Sequence, residues 1–338
     1  MFKAAIIGAG GYWAKNIIRT LLENQDVQIT VLCDTNIEAA KLVAKKFRLT
    51  EALVCSDFAH YSIGKKEFQE ANGIFIITPP TTHHGIAQYF LSIGKNCLVE
   101  KPLTTNSKEA QELCDLAEKN KCVLMVGHTF LYNPAVLKIK ELIDNKEYFG
   151  NIIYMYFHRL NLGQVKEDIN VVWSIMPHDI TIANFLMGST PEKITASGLK
   201  YTKMYDTVFT TLYYPNNKLA HIHNSWIDPL KVRRCVIVGE RKMIVYDDVS
   251  NEFKIMVYDK GIDYIPKEGE QAYDIKLRAG DTFIPKISTE EPLKREINHF
   301  VDCVLNNKNP ITNGYDGLSV VKILEQIQAN IMNNQQCP

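Results

Sequence analysis

Apolar positions along the first 130 residues switch between two periods. Residues 2–8 form a short continuous apolar run, the pattern of a strand buried on both faces. Ala14, Ile17, Ile18 and Leu21 then follow the i, i+3, i+4, i+7 spacing of an amphipathic helix. Residues 28–33 read as a second strand. Thr35 and Glu38 have the spacing of a capping box, and Ala40, Val43, Ala44 and Phe47 line one face of the helix that follows. The pattern continues with a strand at 73–77 stopped by Pro79-Pro80, a helix at 86–93, a strand at 96–100, a helix marked by Ala110, Leu113, Cys114 and Ala117, and a strand at 123–126. Such alternation predicts a parallel sheet covered on both faces.

After Phe130 the pattern changes. A helix over 135–145 leads into a strand at 151–159, and further strands read at 207–214, 219–226, 234–239, 242–247 and 253–258. Several are joined by turns as short as Pro215-Asn216-Asn217, too short for parallel crossovers, so this second sheet is expected to be largely antiparallel. Helices at 293–306 and 318–332 close the pattern, and the polar tail from Asn333 is expected to fray.

A length of 338 residues fits two domains. The 38 Lys and Arg balance 38 Asp and Glu, which excludes broad attraction to nucleic acid or anionic membranes. No apolar run nears the ~18 residues of a spanning helix, and a glycine-rich turn close behind Lys3 argues against a signal peptide. The eight cysteines, Cys337 among them, are scattered and form no CxxC. They read as buried thiols of a cytoplasmic protein, with neither disulfides nor zinc.

The candidate chemistry sits at the strand ends. Gly8-Ala9-Gly10-Gly11-Tyr12-Trp13-Ala14 joins the first strand to the first helix, where glycines let the backbone approach a pyrophosphate at a helix N-terminus. Trp13 stands where the dinucleotide fingerprint has Gly or Ala, and Ala14 can take the small-residue role if one residue is inserted. Asp34 ends the second strand, 24 residues after Gly10, placed to accept the adenosine ribose hydroxyls. Its neighbours Thr35 and Asn36 offer no Arg for a 2′-phosphate, which favours NAD over NADP. Glu100-Lys101-Pro102 ends a buried strand at the sheet edge where ligands bind; alone, Lys101 also reads as a surface lysine. His178, in Trp173-Ser174-Ile175-Met176-Pro177-His178-Asp179, alone reads equally as a packed core histidine.

Taken in order, Ala5–Gly10, the run Thr78-Pro79-Pro80-Thr81-Thr82-His83-His84, Glu100-Lys101-Pro102, Gly127-His128-Thr129-Phe130, Pro177-His178-Asp179 and the closing Pro310-Ile311-Thr312-Asn313-Gly314 resemble the glucose–fructose oxidoreductase/inositol dehydrogenase (Gfo/Idh/MocA) family of NAD(P)-dependent sugar dehydrogenases. The resemblance covers nearly the whole chain. It implies an α/β protein: a doubly wound Rossmann domain at 1–128 that binds NAD, then a substrate-binding α/β domain at 129–338 with an open, mostly antiparallel sheet that often forms an oligomer interface. The last helix is expected to pack back on the first domain. Arg159-Leu160-Asn161-Leu162-Gly163 and Asp168-Ile169-Asn170 further resemble members that act on nucleotide sugars, such as UDP-N-acetylglucosamine 3-dehydrogenases.

By the same resemblance, Lys101 matches the lysine of the family's Glu-Lys-Pro motif and His178 the histidine of its Asp-x-x-x-His motif. Ser174 stands where the family has that Asp. Gly8, Gly10, Gly11, Tyr12, Trp13, Asp34, Thr78, Pro79, His83, Glu100 and Lys101 are expected around the cofactor. Ser174, Asp179, Tyr132, Asn133 and Arg159 are expected toward substrate, with Arg159 and the pair Arg233-Arg234 as candidates for a diphosphate. His221 and His223 share a strand face, and a third metal ligand is not identifiable. The implied reaction is oxidation of a ring hydroxyl, at C3 of a nucleotide-activated amino sugar, by a homodimer or homotetramer feeding an aminotransferase. An inositol or free-sugar dehydrogenase, or a non-catalytic NAD-binding regulator, stays open.

Overall fold

The computed structural model describes residues 1–163, 169–266 and 273–333. The elements run β1 (Phe2–Ile7), α1 (Ala14–Leu22), β2 (Val27–Cys33), α2 (Ile37–Lys46), β3 (Leu53–Cys55), α3 (Phe58–Gly64), α4 (Lys66–Gln69), β4 (Gly73–Ile76), α5 (Pro80–Ser92), β5 (Asn96–Glu100), α6 (Ser107–Lys119) and β6 (Leu124–Gly127). A 3-10 turn (Thr129–Tyr132) precedes α7 (Pro134–Asp144), α8 (Lys146–Phe149), β7 (Ile152–Leu162), α9 (Val171–Ser174) and α10 (Met176–Met187). Then come β8 (Lys193–Leu199), β9 (Thr207–Tyr214), β10 (Lys218–Ser225), β11 (Ile227–Gly239), β12 (Met243–Asp247), β13 (Ile255–Pro266), β14 (Tyr273–Phe283), α11 (Pro292–Asn306) and α12 (Gly314–Asn333). Asp168 and Cys337, used in the sequence reading, lie outside the described residues.

The chain divides into two compact units. The first comprises Met1–Tyr132 and Glu290–Lys322. Its six strands are all parallel, in the order β3-β2-β1-β4-β5-β6. The order reverses between β1 and β4, the place where doubly wound sheets receive ligands beyond their carboxyl ends. The expected boundaries put residues 290–322 in the second domain with the last helix packing back on the first; they group with this unit, joined to its sheet by aromatic packing. Phe300 of α11 stands edge-on to Phe75 of β4 at 5.3 Å and to Phe2 of β1 at 6.1 Å. Gly73 makes room for them, since a Cβ there would lie 2.6 Å from Phe2 and 2.8 Å from Phe300. The N-cap of α2 is Asn36, whose Oδ1 accepts the Ala39 N–H at 3.1 Å, and not Thr35 of the expected capping box.

The second unit comprises Asn133–Thr289 and residues from Ile323 on. Its eight strands run β14-β13-β12-β11-β7-β10-β9-β8. Only β7 and β10 pair in parallel; the other neighbours are antiparallel. Period-2 alternation sends Met155 and Phe157 of β7 and Ala220 and Ile222 of β10 into the core, where α10 packs on both strands. Tyr156 of β7 lies on the opposite face, beside Val236 of β11, Val245 of β12 and Met256 of β13 in register.

Candidate active site

The loop after β1 is shaped by what its backbone approaches. Gly8 has φ +87° and a Cβ on it would lie 2.7 Å from the Ile77 carbonyl oxygen. The Gly8 and Ala9 N–H groups both donate to the Cys33 carbonyl, at 2.8 and 3.1 Å, which binds the loop to the end of β2. A Cβ on Gly10 would lie 2.7 Å from Ala39 and 3.0 Å from Asp34 Oδ2. The loop then enters α1 at Trp13 with no side-chain cap, which leaves first-turn N–H groups to an anion. Each Asp34 oxygen accepts one backbone N–H, from Gly10 at 2.8 Å and from Asn36 at 2.9 Å, leaving each with a further lone pair for a ribose hydroxyl. These residues fit a dinucleotide: a bare backbone cradle, an uncapped helix start and an oriented carboxylate.

On the far side of the reversal, β5 ends in Glu100. Its Oε1 accepts the Trp13 indole N–H at 2.6 Å and its Oε2 the Lys101 N–H at 3.2 Å. Burial raises the Glu100 carboxyl, and the Lys101 charge and the indole donor only partly offset this. Thr78 and Pro79 follow β4 directly; the Thr78 hydroxyl accepts from Thr82 at 2.7 Å. His83 was expected to touch cofactor. It is instead buried, with Nδ1 2.9 Å from the Pro102 carbonyl and Nε2 2.8 Å from the Thr78 carbonyl. It braces the two segments that flank the loop, and desolvation lowers its proton affinity. Tyr12, in contrast, is 85% exposed.

Two buried groups, His128 beside Lys101 and Glu296 beside Glu100, escaped the sequence reading as site residues. The His128 ring, after β6, has no hydrogen-bond partner on either nitrogen, and burial, then the Lys101 charge, push it down to about 3. Glu296 of α11 accepts the Thr129 hydroxyl at 2.7 Å, while its Oε1 is buried and unpartnered. Burial and then Glu100 hold its carboxyl well above the ordinary range. The pattern Leu293, Glu296, Ile297, Phe300 puts Glu296 on the apolar face of its helix, a sign already present in the sequence. Tyr132, expected toward substrate, is buried with its hydroxyl 3.1 Å from that of Thr312.

In the second unit, Ser174 and His178 do not share one continuous helix. Ser174 ends α9, a turn capped by Asn170, and His178 lies in the first turn of α10, with Ile175 between them. The new helix starts at Met176, and Pro177, with no N–H to offer the Trp173 carbonyl, sits in its first turn. Asp179 and Arg159, both expected toward substrate, are buried against each other. Arg159 Nε lies 3.0 and 3.1 Å from the two Asp179 oxygens and Nη2 2.8 Å from Oδ1. Asn224 of β10 adds a fourth bond, Nδ2 to Asp179 Oδ2 at 2.8 Å. Asn133 serves as the cap of α7, its Oδ1 accepting the Ala135 N–H at 2.9 Å and its Nδ2 donating to the Tyr246 hydroxyl at 3.2 Å. Arg233 lies 3.6 Å from Asp248. His221 and His223 share the sheet face that carries Phe209, whose ring stacks on His223 at 4.2 Å. Among the described residues, no group of three His, Cys, Asp or Glu is arranged to hold a metal ion, and no helix is long and apolar enough to cross a membrane.

Known proteins share this architecture. Residues 2–128 match the model of the oxidoreductase family with an NAD-binding Rossmann fold, and residues 136–245 match the GFO/IDH/MocA C-terminal domain. The UDP-N-acetylglucosamine 3-dehydrogenase of Acidithiobacillus ferrooxidans is 25% identical over 309 residues, covering 90% of each chain. The scyllo-inositol 2-dehydrogenase (NAD(+)) of Bacillus subtilis is 23% identical, covering 93% of this chain and 89% of that one. The solved structure of the Acidithiobacillus enzyme superposes with a TM-score of 0.82 at 22% identity, over 99% of this chain and 98% of that one, so the fold is common to both. With one model on the glycine-loop sheet and the other on the antiparallel sheet, the chain belongs to the GFO/IDH/MocA family of NAD-binding oxidoreductases.

Proposed function

We propose that the protein oxidises a secondary ring hydroxyl, at C3, of a nucleotide-activated amino sugar such as UDP-N-acetylglucosamine, giving the 3-keto sugar. The observation that carries this reading is the end-to-end match to a relative of that activity, 90% of both chains. The Asp34 carboxylate, with no Arg on Thr35 or Asn36, favours NAD over NADP. Bound NAD supplies the redox chemistry as hydride acceptor. The protein's part is acid–base and electrostatic. His178 takes the hydroxyl proton as the carbinol carbon is oxidised, a role suited to an imidazole at neutral pH. The Lys101 ammonium has the electrostatic part, stabilising negative charge as it develops on the substrate. Arg159 and Asp179, paired and buried, hold the start of α10 rather than a diphosphate.

A free cyclitol as substrate is the second reading, favoured by the similarity to scyllo-inositol 2-dehydrogenase over 93% of this chain. In either case a second copy of the chain is proposed to pack on the outer face of this sheet, where Tyr156 and Met256 are only partly buried beside the buried Val236 and Val245. Sedimentation equilibrium tests this; a monomer at micromolar concentration rejects it.

Mass spectrometry of reactions with NAD and a panel of UDP- and dTDP-sugars and inositols tests the substrate. A glutamate-dependent aminotransferase is added to draw the ketone forward. An amino product from UDP-N-acetylglucosamine that needs this protein supports the first reading. Product from free inositol alone replaces it with the second, and silence across the panel with NAD bound removes both.

A further inference from the structure

Trp13 occupies the position at which a dinucleotide-binding loop has a small residue, and its side chain makes a contact no small residue could make. The indole N–H reaches the Glu100 carboxylate, 87 residues along the chain, at 2.6 Å. The other carboxylate oxygen accepts the Lys101 N–H at 3.2 Å. Gly127 at the end of β6 closes the third side: a Cβ there would lie 3.1–3.3 Å from the Glu100 carboxyl atoms. Trp13 is also the N-cap of α1, and its carbonyl accepts the Asn16 N–H at 3.0 Å. One residue therefore joins the helix start that would face a diphosphate to the strand end that carries Lys101.

We propose that Trp13 is a positioning residue which, through the Glu100 carboxylate, fixes the Lys101 main chain to the loop that holds the cofactor. The proposal rests on the reading that Lys101 serves the reaction. It accounts for a large residue in a place where a small one is expected. It also gives the half-buried carboxylate its purpose: an acceptor shared by a side chain on one segment and a main-chain donor on another. The charged and titratable groups that act on this site are Lys101 at the end of β5, Glu296 of α11 and, through Lys101, His128 after β6. Burial raises the Glu100 carboxyl and the indole donor is one of the interactions that oppose that rise, so losing it makes the carboxyl take up a proton at higher pH in a Trp13→Phe protein.

The protein has three tryptophans, Trp13, Trp173 and Trp226, so the indole N–H resonances of 15N-labelled full-length protein can be assigned by single substitution. Trp13→Phe identifies its own resonance by loss. In the unsubstituted protein without cofactor, that resonance is expected downfield of a water-exposed indole, following one carboxyl titration that Glu100→Gln abolishes. A resonance at the exposed position, unmoved by Glu100→Gln, overturns the proposal. With NAD and an oxidisable substrate, Trp13→Phe is expected to lower kcat by about tenfold, as a displaced catalytic group does. Its acidic limb is expected to move to higher pH, while NAD affinity stays within roughly threefold. Loss of NAD affinity in step with kcat, with the limb unmoved, overturns the proposal as well. A Lys101→Met protein that retains turnover would instead reject the role of Lys101, and the indole resonance would still decide the Trp13–Glu100 link.

Discussion

Arg159 of β7 lays its guanidinium side-on against the Asp179 carboxylate of α10, three N–O distances falling between 2.8 and 3.1 Å, with both side chains more than nine-tenths buried. Asn224 supplies a further donor to the same carboxylate. The pair joins the central strand of the second sheet to the helix turn that presents His178.

Removing one partner leaves a buried charge without compensation. Arg159→Met is expected to lower unfolding free energy by about 3–5 kcal/mol, and Arg159→Met combined with Asp179→Leu to recover much of that loss. Urea unfolding of both variants checks this. A single variant as stable as the unsubstituted protein would contradict it.

Glu296 tests the sign of a buried carboxyl. Its folded proton affinity lies well above that of an ordinary Glu, because burial and the nearby Glu100 disfavour the charge. Stability from this group is complete below the ordinary carboxylate range and is lost as pH rises through the raised value. Glu296→Gln keeps an acceptor for the Thr129 hydroxyl and carries no such loss. The variant is expected to gain on the unsubstituted protein as pH rises from 4 to 8. A stability difference that does not change with pH would show that the carboxyl is ionised without penalty.

Ser174 brings no charge to the turn before His178. With an Asp in its place, a nearby carboxylate would favour the imidazolium and raise the pKa of the base. Ser174→Asp is therefore expected to move the acidic limb of the kcat/KM profile to higher pH. An unmoved limb would mean that the break at Ile175 keeps position 174 out of range.

Asp34 is the predicted selector of NAD. Asp34→Ala is expected to weaken NAD binding by roughly 1.5–3 kcal/mol, the usual range for a hydrogen bond to a charged group, and NADP binding by less. Titration calorimetry with both dinucleotides checks it; equal losses would take the ribose contact away from Asp34.

The periodicity of apolar residues made both sheets legible, because a strand buried on both faces and a strand buried on one leave different marks. The glycine loop and Asp34 were legible for a similar reason: contacts within one βαβ unit are close in sequence. What the sequence hid was long-range. Arg159 and Asp179 are separated by 20 residues and read as two substrate-facing groups until the fold pairs them with each other. His83 looks like a ligand until the carbonyls of Thr78 and Pro102 close on its ring. The short strand β3 and the strand β8 escaped because three residues in one case, and the polar alternation Lys-Ile-Thr-Ala-Ser-Gly in the other, carry too little apolar pattern.

Phe300 fits against Phe2 and Phe75, yet 225 or more residues separate it from either of them. On the ribosome, the six parallel strands emerge first, and the helix that covers their Phe2 and Phe75 side emerges only after residues 133–289 have been made. The nascent cofactor sheet therefore waits with an uncovered aromatic face, and a chain stopped anywhere before α11 keeps that face permanently exposed to chaperones and proteases.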